Sequence, residues 1–492
     1  MTLLILSTLL IAILTFIFHS IFVRIQKFKL RAKIGLGGPP PHWLLGNLKD
    51  IIDRTKDIGW NNAQEWHLEL QRKYGDRYAI YFGQKLDIFL CNEEDIKEVF
   101  IKNFSNFSDR GVIEIFRETK LNASLLQNTY KNGWKHTRST IAPIFSTGKM
   151  KAMHETISSK IDTLLEILEE KSMGNEQWDI YDDFQGLTLD VIGKCAFAID
   201  TNCQRDRNDV FYVEARNFFK NIDLRHNPLV TCSVMIPELM WIWKFLYKFS
   251  GLAEAEIPLV QGLDDVYERR RSGEGSDSVD LLKLLLDRED DKTKEKMTKK
   301  EVIENCFAFL LAGYETTKIQ KKLWQEIKLV KNEGTLDYDS IHSMKYLDAV
   351  YKETLRYYPP VIHFISRTCL SDITIRGQFY PKGCSVTVQG NTIHRSESNW
   401  DHPDIFDPDR FLAENSEATE KSTNLKWIPF GVGPRFCVGM RFAEMEFKMT
   451  IAKLIDKFEL RIPMGEMDLI PDCNGVIMRP KDAVRLNLKL RK

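Results

Sequence analysis

The sequence predicts a mostly α protein with a small β region, carried behind a single N-terminal transmembrane helix. Apolar residues recur at helical spacing through residues 95–270, as in Ile157, Ile161, Leu164, Leu165 and Leu168. Short β-rich runs, Tyr78–Phe82 and Leu86–Leu90, lie among polar turns between Trp43 and Glu98. The run from Leu3 to Val23 is almost wholly Leu, Ile, Phe, Ala and Val, and residues 1–23 contain no Asp, Glu, Lys or Arg, which is long enough to span a bilayer.

Composition bounds the rest. A chain of 492 residues implies about three domains or one large one. Its 43% hydrophobic and 28% charged residues exclude general disorder and supply a large core. The 69 Lys+Arg balance 69 Asp+Glu, so no overall field draws a polyanion and nucleic acid is not an expected partner. Nine cysteines, with no C-x-x-C pair, suggest neither a disulfide framework nor a zinc ribbon and fit a reducing compartment.

The elements follow in order. A cleaved signal peptide would show a basic leader, an apolar region of about 7–15 residues and a small-residue cleavage site, none of which is present. Arg24, Lys27, Lys29, Arg31 and Lys33 then mark the cytoplasmic flank, placing the body in the cytosol. Gly35–Pro41 cannot continue a helix and reads as a stiff hinge. The expected division is a transmembrane anchor over 1–23, a basic and proline-rich hinge over 24–41, and one body over 42–492. Cytosolic placement predicts that the sequons at Asn103, Asn106 and Asn122 are silent. Eleven of the fourteen residues from Asp287 to Lys300 are charged, which marks an exposed connection. Thr298 and Glu301 have capping-box spacing, and Ile303, Phe307, Leu310 and Leu311 line one face of a helix running to at least Thr317. A helix centred on Tyr346–Tyr357 ends at Pro359–Pro360; Ile373–Ile375 and Val386–Val388 read as strands. A last helix after Gly439 carries Phe442, Met445, Met449 and Ala452 on one face.

The chemistry concentrates in Phe430-Gly-Val-Gly-Pro-Arg-Phe-Cys437-Val-Gly439. Gly431, Gly433, Pro434 and Gly439 form a tight loop, and Cys437 lies just before a helix, whose positive end favours a thiolate. Such a cysteine is a nucleophile, a soft metal ligand or a buried structural residue. A nucleophile needs a base, and no His, Asp or Glu lies within the loop, although a distant one can approach in space. The surrounding glycines argue against the structural role.

This loop resembles the haem-binding loop of the cytochrome P-450 family, the haem-thiolate monooxygenases, and the resemblance extends over nearly the whole chain. Its flavour is microsomal, nearest to the drug- and steroid-oxidising family 3 group and its invertebrate relatives. It implies the cytochrome P-450 fold, haem b as cofactor, and Cys437 as axial ligand of the haem iron, where the thiolate pushes electron density onto the metal. Phe430 and Gly439 are the loop's matched flanking positions. Trp134-Lys-His-Thr-Arg138, Arg367 and Arg435 resemble the positions that bind haem propionates, for which charge-assisted hydrogen bonds are suited. Glu353 and Arg356, on one helix face, with Arg410 in Phe406-Asp-Pro-Asp-Arg410-Phe411, resemble the family's buried structural triad; read without it, the pair is a surface ion pair worth about 0.3–0.5 kcal/mol. Ala312-Gly-Tyr-Glu315-Thr316-Thr317 resembles the acid–alcohol pair that relays protons during dioxygen activation, against the plainer reading of a solvated helix end.

No Gly-x-Gly-x-x-Gly follows a strand and no Walker loop occurs, so electrons come from elsewhere. The resemblance implies an NADPH-dependent flavoprotein reductase, with cytochrome b5 as a further donor, docking on a basic face where Lys135, Lys448 and Lys453 are candidates. It also implies a small apolar substrate met by residues near 104–125 and 205–240, including Phe104, Phe107, Phe211 and Phe218, and a single-pass location in the membrane lipid of the endoplasmic reticulum. One departure stands out. Thr317 is followed at once by Lys318-Ile-Gln-Lys-Lys-Leu-Trp-Gln-Glu-Ile327, which resembles the start of the next family helix. Roughly twenty residues, about 30 Å if helical, are absent from the central helix and the loop after it. The expected function is therefore monooxygenation, with two rivals: an impaired or misfolded shortened form, and a reductase-independent haem-thiolate isomerase.

Overall fold

The computed structural model describes residues 1–58, 61–174, 178–197, 199–223, 227–272, 282, 285–286, 297–310, 320–361, 365–412, 425–463, 471–474 and 477–491. The first helix, Thr2–Phe28, is predominantly apolar and exposed from Leu4 to His19, and among the described residues it is the unbroken helix long and apolar enough to cross a membrane. At 1.5 Å per residue its 27 residues reach about 40 Å, more than the roughly 30 Å hydrocarbon core. The helix therefore carries the start of the basic flank with it. Arg24 is buried, donating to the Leu44 carbonyl at 2.8 Å and pairing with Glu238 at 3.1 Å, while Lys27 bonds Gln84. The proline-rich segment is tied to the body too: Ala79 N–H donates to Gly37 O at 3.0 Å, and the Arg31 guanidinium donates to Pro39 O at 2.7 Å.

The β region is as small as expected. β1 (Arg77–Phe82) and β2 (Lys85–Leu90) form an antiparallel hairpin across Gly83-Gln84, with Gly83 at φ +63°, the positive φ that tight hairpin turns demand. β3 (Ile365–Thr368), β4 (Ile373–Ile375), β5 (Gln378–Tyr380) and β6 (Ser385–Val388) follow. β6 returns to lie parallel to β2 and antiparallel to β3, giving the order β1-β2-β6-β3 and placing Arg367 opposite Val386 in the sheet's interior face. β4 and β5 pair separately across Arg376-Gly377, both at positive φ.

Near the C-terminal end Phe458–Arg461 pairs with Asn487–Leu490 and Pro471–Asn474 with Ile477–Pro480, both antiparallel, and helices make most of the rest. Thr147–Ser172 buries Ile157, Ile161, Leu164, Leu165 and Leu168, the stripe read from sequence, in the cluster that also holds Met445, Met449 and Ala452 of Met440–Lys457. Burying each such side chain is worth about 1.5–3 kcal/mol, so this seam fixes the last helix, and with it the cysteine loop. The central helix starts as predicted: Glu301 accepts from Thr298 N–H at 2.9 Å, and the Thr298 hydroxyl oxygen accepts from Glu301 N–H at 3.3 Å. It is described over Lys299–Leu310; its continuation through Thr317 and the junction with Lys318 lie outside the described residues, as does most of the charged connection before it. The next helix is Gln320–Glu333, and Lys345–Tyr357 ends just before Pro359-Pro360.

The sequon amides at two positions are already engaged. Asn103 donates to Glu98 O at 2.9 Å and Asn106 to Ser371 O at 2.8 Å. Expression of the full chain in cells is expected to give no endoglycosidase-sensitive mass shift; such a shift would place the body on the lumenal side.

Candidate functional site

The cysteine loop is shaped by its own backbone. Gly431 and Gly433 adopt φ +81° and +70°, and a Cβ at Gly433 would meet Phe100 O at 2.2 Å, so only glycine fits there. Phe430 O accepts from Cys437 N–H at 2.8 Å, closing the loop, and Gly439 caps the helix Met440–Lys457. Cys437 is exposed, yet the surrounding protein is dense enough to push its thiol pKa up by desolvation. The Gly439 N–H and the guanidiniums of Arg138 and Arg110 act in the opposite direction, favouring the thiolate.

Four guanidiniums converge here. Arg435 is buried, donates to Ser108 O and Asn128 O at 2.8 Å each, and stacks 4.2 Å over the Trp134 ring. Arg367 is buried in β3, donates to Ser366 O at 2.8 Å and lies 5.1 Å from the Phe100 ring centre. Arg138 donates to Phe436 O at 3.0 Å, and Arg110 to Arg435 O at 3.3 Å. Burial and mutual repulsion lower their pKa values: Arg435 to about 9, by desolvation and then Arg110, and Arg110 to about 10, by desolvation and then Arg138 against the favourable pull of Cys437. Arg367 is lowered well below its ordinary value by burial and then by Arg110 and Arg435.

This arrangement fits a haem. Buried Nε of Arg367 and one terminal nitrogen of Arg435 have no hydrogen-bond partner, an expensive condition for a cation unless an anion completes it. A dicarboxylate would satisfy them, and a soft sulfur ligand stands beside them. Trp134, Arg138, Arg367, Phe430, Arg435, Cys437 and Gly439 thus fall in one place. Arg110 was not foreseen, because a lone Arg in Ser108-Asp109-Arg110 has no pattern of its own; only the fold lays it against the cysteine loop. Glu315 and Thr316 lie outside the described residues.

Behind the loop stands the triad. Arg356 makes two bonds to Glu353, at 2.7 and 2.8 Å, and Arg410 adds a third at 3.2 Å; Glu353 and Arg356 are fully buried. Arg356 also donates to His394 O and Pro403 O at 2.8 Å each. His394 in turn accepts from Ile428 N–H at 2.9 Å, two residues before Phe430. Desolvation, then Arg356 and Arg395, push the His394 pKa down to about 3, so its ring is neutral and free to accept. The triad therefore steers the backbone entering the cysteine loop.

Two expectations need correction. Lys448 is no docking charge: it is buried and bonded to Asp348 at 2.7 Å and Glu444 at 2.6 Å, because it joins the last helix to Lys345–Tyr357. Lys453 is paired with Asp162 at 2.7 Å, whereas Lys135 is exposed. The four aromatics also divide. Phe218 packs edge-on against Phe307 of the central helix at 5.3 Å, and Phe211 packs on the same core. Phe107 instead lies under the sheet against Tyr380, and Phe104 beside Trp134, so neither joins Phe218.

The family model for Cytochrome P450 matches residues 36–487. The chain is 28% identical over 491 residues to Cytochrome P450 3A11 of Mus musculus, covering 93% of this chain and 94% of that one. It is 29% identical over 489 residues to Cytochrome P450 3A27 of Oncorhynchus mykiss, covering 94% and 90%. It is likewise 29% identical over 486 residues to Probable cytochrome P450 6a18 of Drosophila melanogaster, covering 91% and 90%. One continuous match takes in the buried triad, the guanidinium cluster and the cysteine loop, and the chain belongs to the cytochrome P450 family.

Proposed function

We propose that this chain is a haem-thiolate monooxygenase that inserts one atom of dioxygen into a small apolar molecule, the other leaving as water. The observation that carries the reading is the buried guanidinium cluster, with unpartnered nitrogens on Arg367 and Arg435, set around the Cys437 loop. Cys437 would hold the iron, and Arg110, Arg138, Arg367 and Arg435 the carboxylates, with Trp134 the platform beneath Arg435. When bound, haem supplies one-electron chemistry with dioxygen that no side chain can provide. The chain's own contribution is positional and electrostatic. The glycine loop and the Gly439 N–H would hold the thiolate, Phe218 and Phe307 keep an apolar contact at the central helix, and Glu315 with Thr316 would hold and pass a proton.

Electrons are proposed to come from NADPH through a separate flavoprotein reductase, with cytochrome b5 as a further donor, Lys135 being the candidate that keeps an exposed charge. The anchor helix supports placement on the cytosolic face of the endoplasmic reticulum, with residues 24–41 joining it to the catalytic body from residue 42 on. Exposed Trp241, Phe245 and Phe249 follow directly on the Glu238 that Arg24 grips, which supports lipid contact beside the anchor. Reconstitution with reductase tests the reading: NADPH must be consumed with product, whereas peroxide rearrangement without NADPH would favour the isomerase. Thr316→Ala is expected to keep haem binding while diverting reducing equivalents to peroxide and water. Unchanged coupling of NADPH to product would remove Thr316 from the relay.

A second reading, that this form is impaired, rests on the Thr317–Lys318 junction. Losing several turns of the central helix would exceed the roughly 0.5–3 kcal/mol of ordinary point substitutions. A family-like insert between Thr317 and Lys318 is then expected to raise haem content and turnover. Equal activity of the two forms would show the segment dispensable.

A further inference from the structure

The ladder between β3 and β6 ends in two cysteines. Thr368 lies opposite Ser385, and one step further the Cys369 N–H donates to Cys384 O at 3.0 Å. The neighbouring Gly383 N–H donates to Cys369 O at 2.8 Å, so Gly383 and Cys384 together face Cys369, as in a β-bulge. Both cysteines are buried, and the Cys369 thiol donates to Ser371 O at 3.0 Å and to Tyr380 O at 3.5 Å. Residues opposite on an antiparallel ladder have Cα atoms about 4.5–5.5 Å apart, within the roughly 4.4–6.8 Å that a disulfide bridges.

The two sulfurs are not equivalent. The neighbouring Cys384 thiol, and more weakly Asn106 Nδ2 donating to the Cys369 sulfur at 3.7 Å, bring the Cys369 pKa below that of an ordinary thiol against the opposing effect of burial. The nearby Cys369 sulfur and burial push Cys384 up. The residues that follow Cys369, Leu370–Asp372, and those that precede Cys384, Lys382–Gly383, are exposed, so both cysteines sit next in sequence to the surface.

We propose that Cys369 and Cys384 form a modification site, a dithiol that a hydroperoxide converts to a disulfide, Cys369 attacking and Cys384 resolving. In the first step the Cys369 sulfur bonds to one peroxide oxygen, the O–O bond breaks, and the other oxygen leaves as alcohol or water with the thiol's proton. In the second the Cys384 sulfur displaces the sulfenic oxygen, which leaves as water. Two thiols are oxidised by two electrons, and one hydroperoxide is reduced. Any hydroperoxide serves, so the site stands apart from the proposed monooxygenation. Arg367 lies two residues upstream on the same side of β3, so the bridge would brace the edge that carries it.

The test is hydrogen peroxide treatment of the full chain in lipid nanodiscs, alkylation of remaining thiols, and peptide mass spectrometry. The expected result is a Cys369–Cys384 cross-linked peptide, two hydrogens lighter than its parts and reversed by dithiothreitol, with Cys91→Ser leaving it unchanged. Cys384→Ser is expected to leave a Cys369 sulfenic acid that dimedone traps. Full alkylation of both thiols in the oxidised wild-type chain, or pairing of Cys369 with another cysteine, overturns the proposal without recourse to any variant.

Discussion

Cys437→Ala is expected to abolish the thiolate-type Soret band of the reduced, carbon monoxide-bound protein entirely, while Cys91→Ala and Cys203→Ala retain it. The reason is local. Among the described cysteines Cys437 is the exposed one, with Gly439 N–H, Arg138 and Arg110 favouring its anion. Cys91 and Cys203 are buried thiols pushed up by desolvation, Cys91 to about 12, and neither belongs to the glycine loop. Alanine leaves the loop's backbone bonds in place, because Cys437 N–H still reaches Phe430 O, so the loss reports ligation and not collapse. A normal band from Cys437→Ala would overturn the assignment of the ligand, and with it the proposed chemistry.

Arg356→Ala should be the most destabilising single change in the body. It leaves the fully buried Glu353 carboxylate with Arg410 as its remaining cation, beside the Asp407 N–H, and removes donors from His394 O and Pro403 O. Removing one partner of a buried pair costs about 3–5 kcal/mol, a large part of a typical margin of about 5–15 kcal/mol. The damage should reach the cysteine loop through His394 and Ile428, so haem uptake should fall along with the thermal midpoint. Arg356→Lys keeps the charge but cannot fork to both Glu353 oxygens, and should fall between the two. Thermal unfolding and haem content of the three proteins decide this; an Arg356→Ala protein with wild-type values would show the triad to be ornamental.

Much of this was legible in one dimension because the signals are local. The helix stripe from Ile157 to Leu168, the Thr298–Glu301 cap, the β1–β2 hairpin and the glycines of the cysteine loop each depend on neighbours within a few residues. Short-range sterics and periodicity therefore expose them. Lys448 shows the limit: a lysine on an amphipathic helix reads as solvated, and only the approach of Asp348 from another helix buries it. Phe107 fails for the same reason, since which side of the sheet it fills depends on where β4 and β5 fold back.

By itself the sequence carried the long apolar N-terminal helix, the mostly α body and the family resemblance, and through that resemblance the expectation that Cys437 is the ligand. The tertiary structure decided what surrounds that centre. Arg110, Arg138, Arg367 and Arg435 come from separate stretches of chain, and only packing lets Arg138 depress Arg110, and Arg110 depress Arg367 and Arg435. The cross-strand meeting of Cys369 and Cys384 is likewise a matter of register, set by the β3–β6 ladder. Electrostatic coupling falls off with distance through space, not along the chain, so no spacing in the sequence announces it.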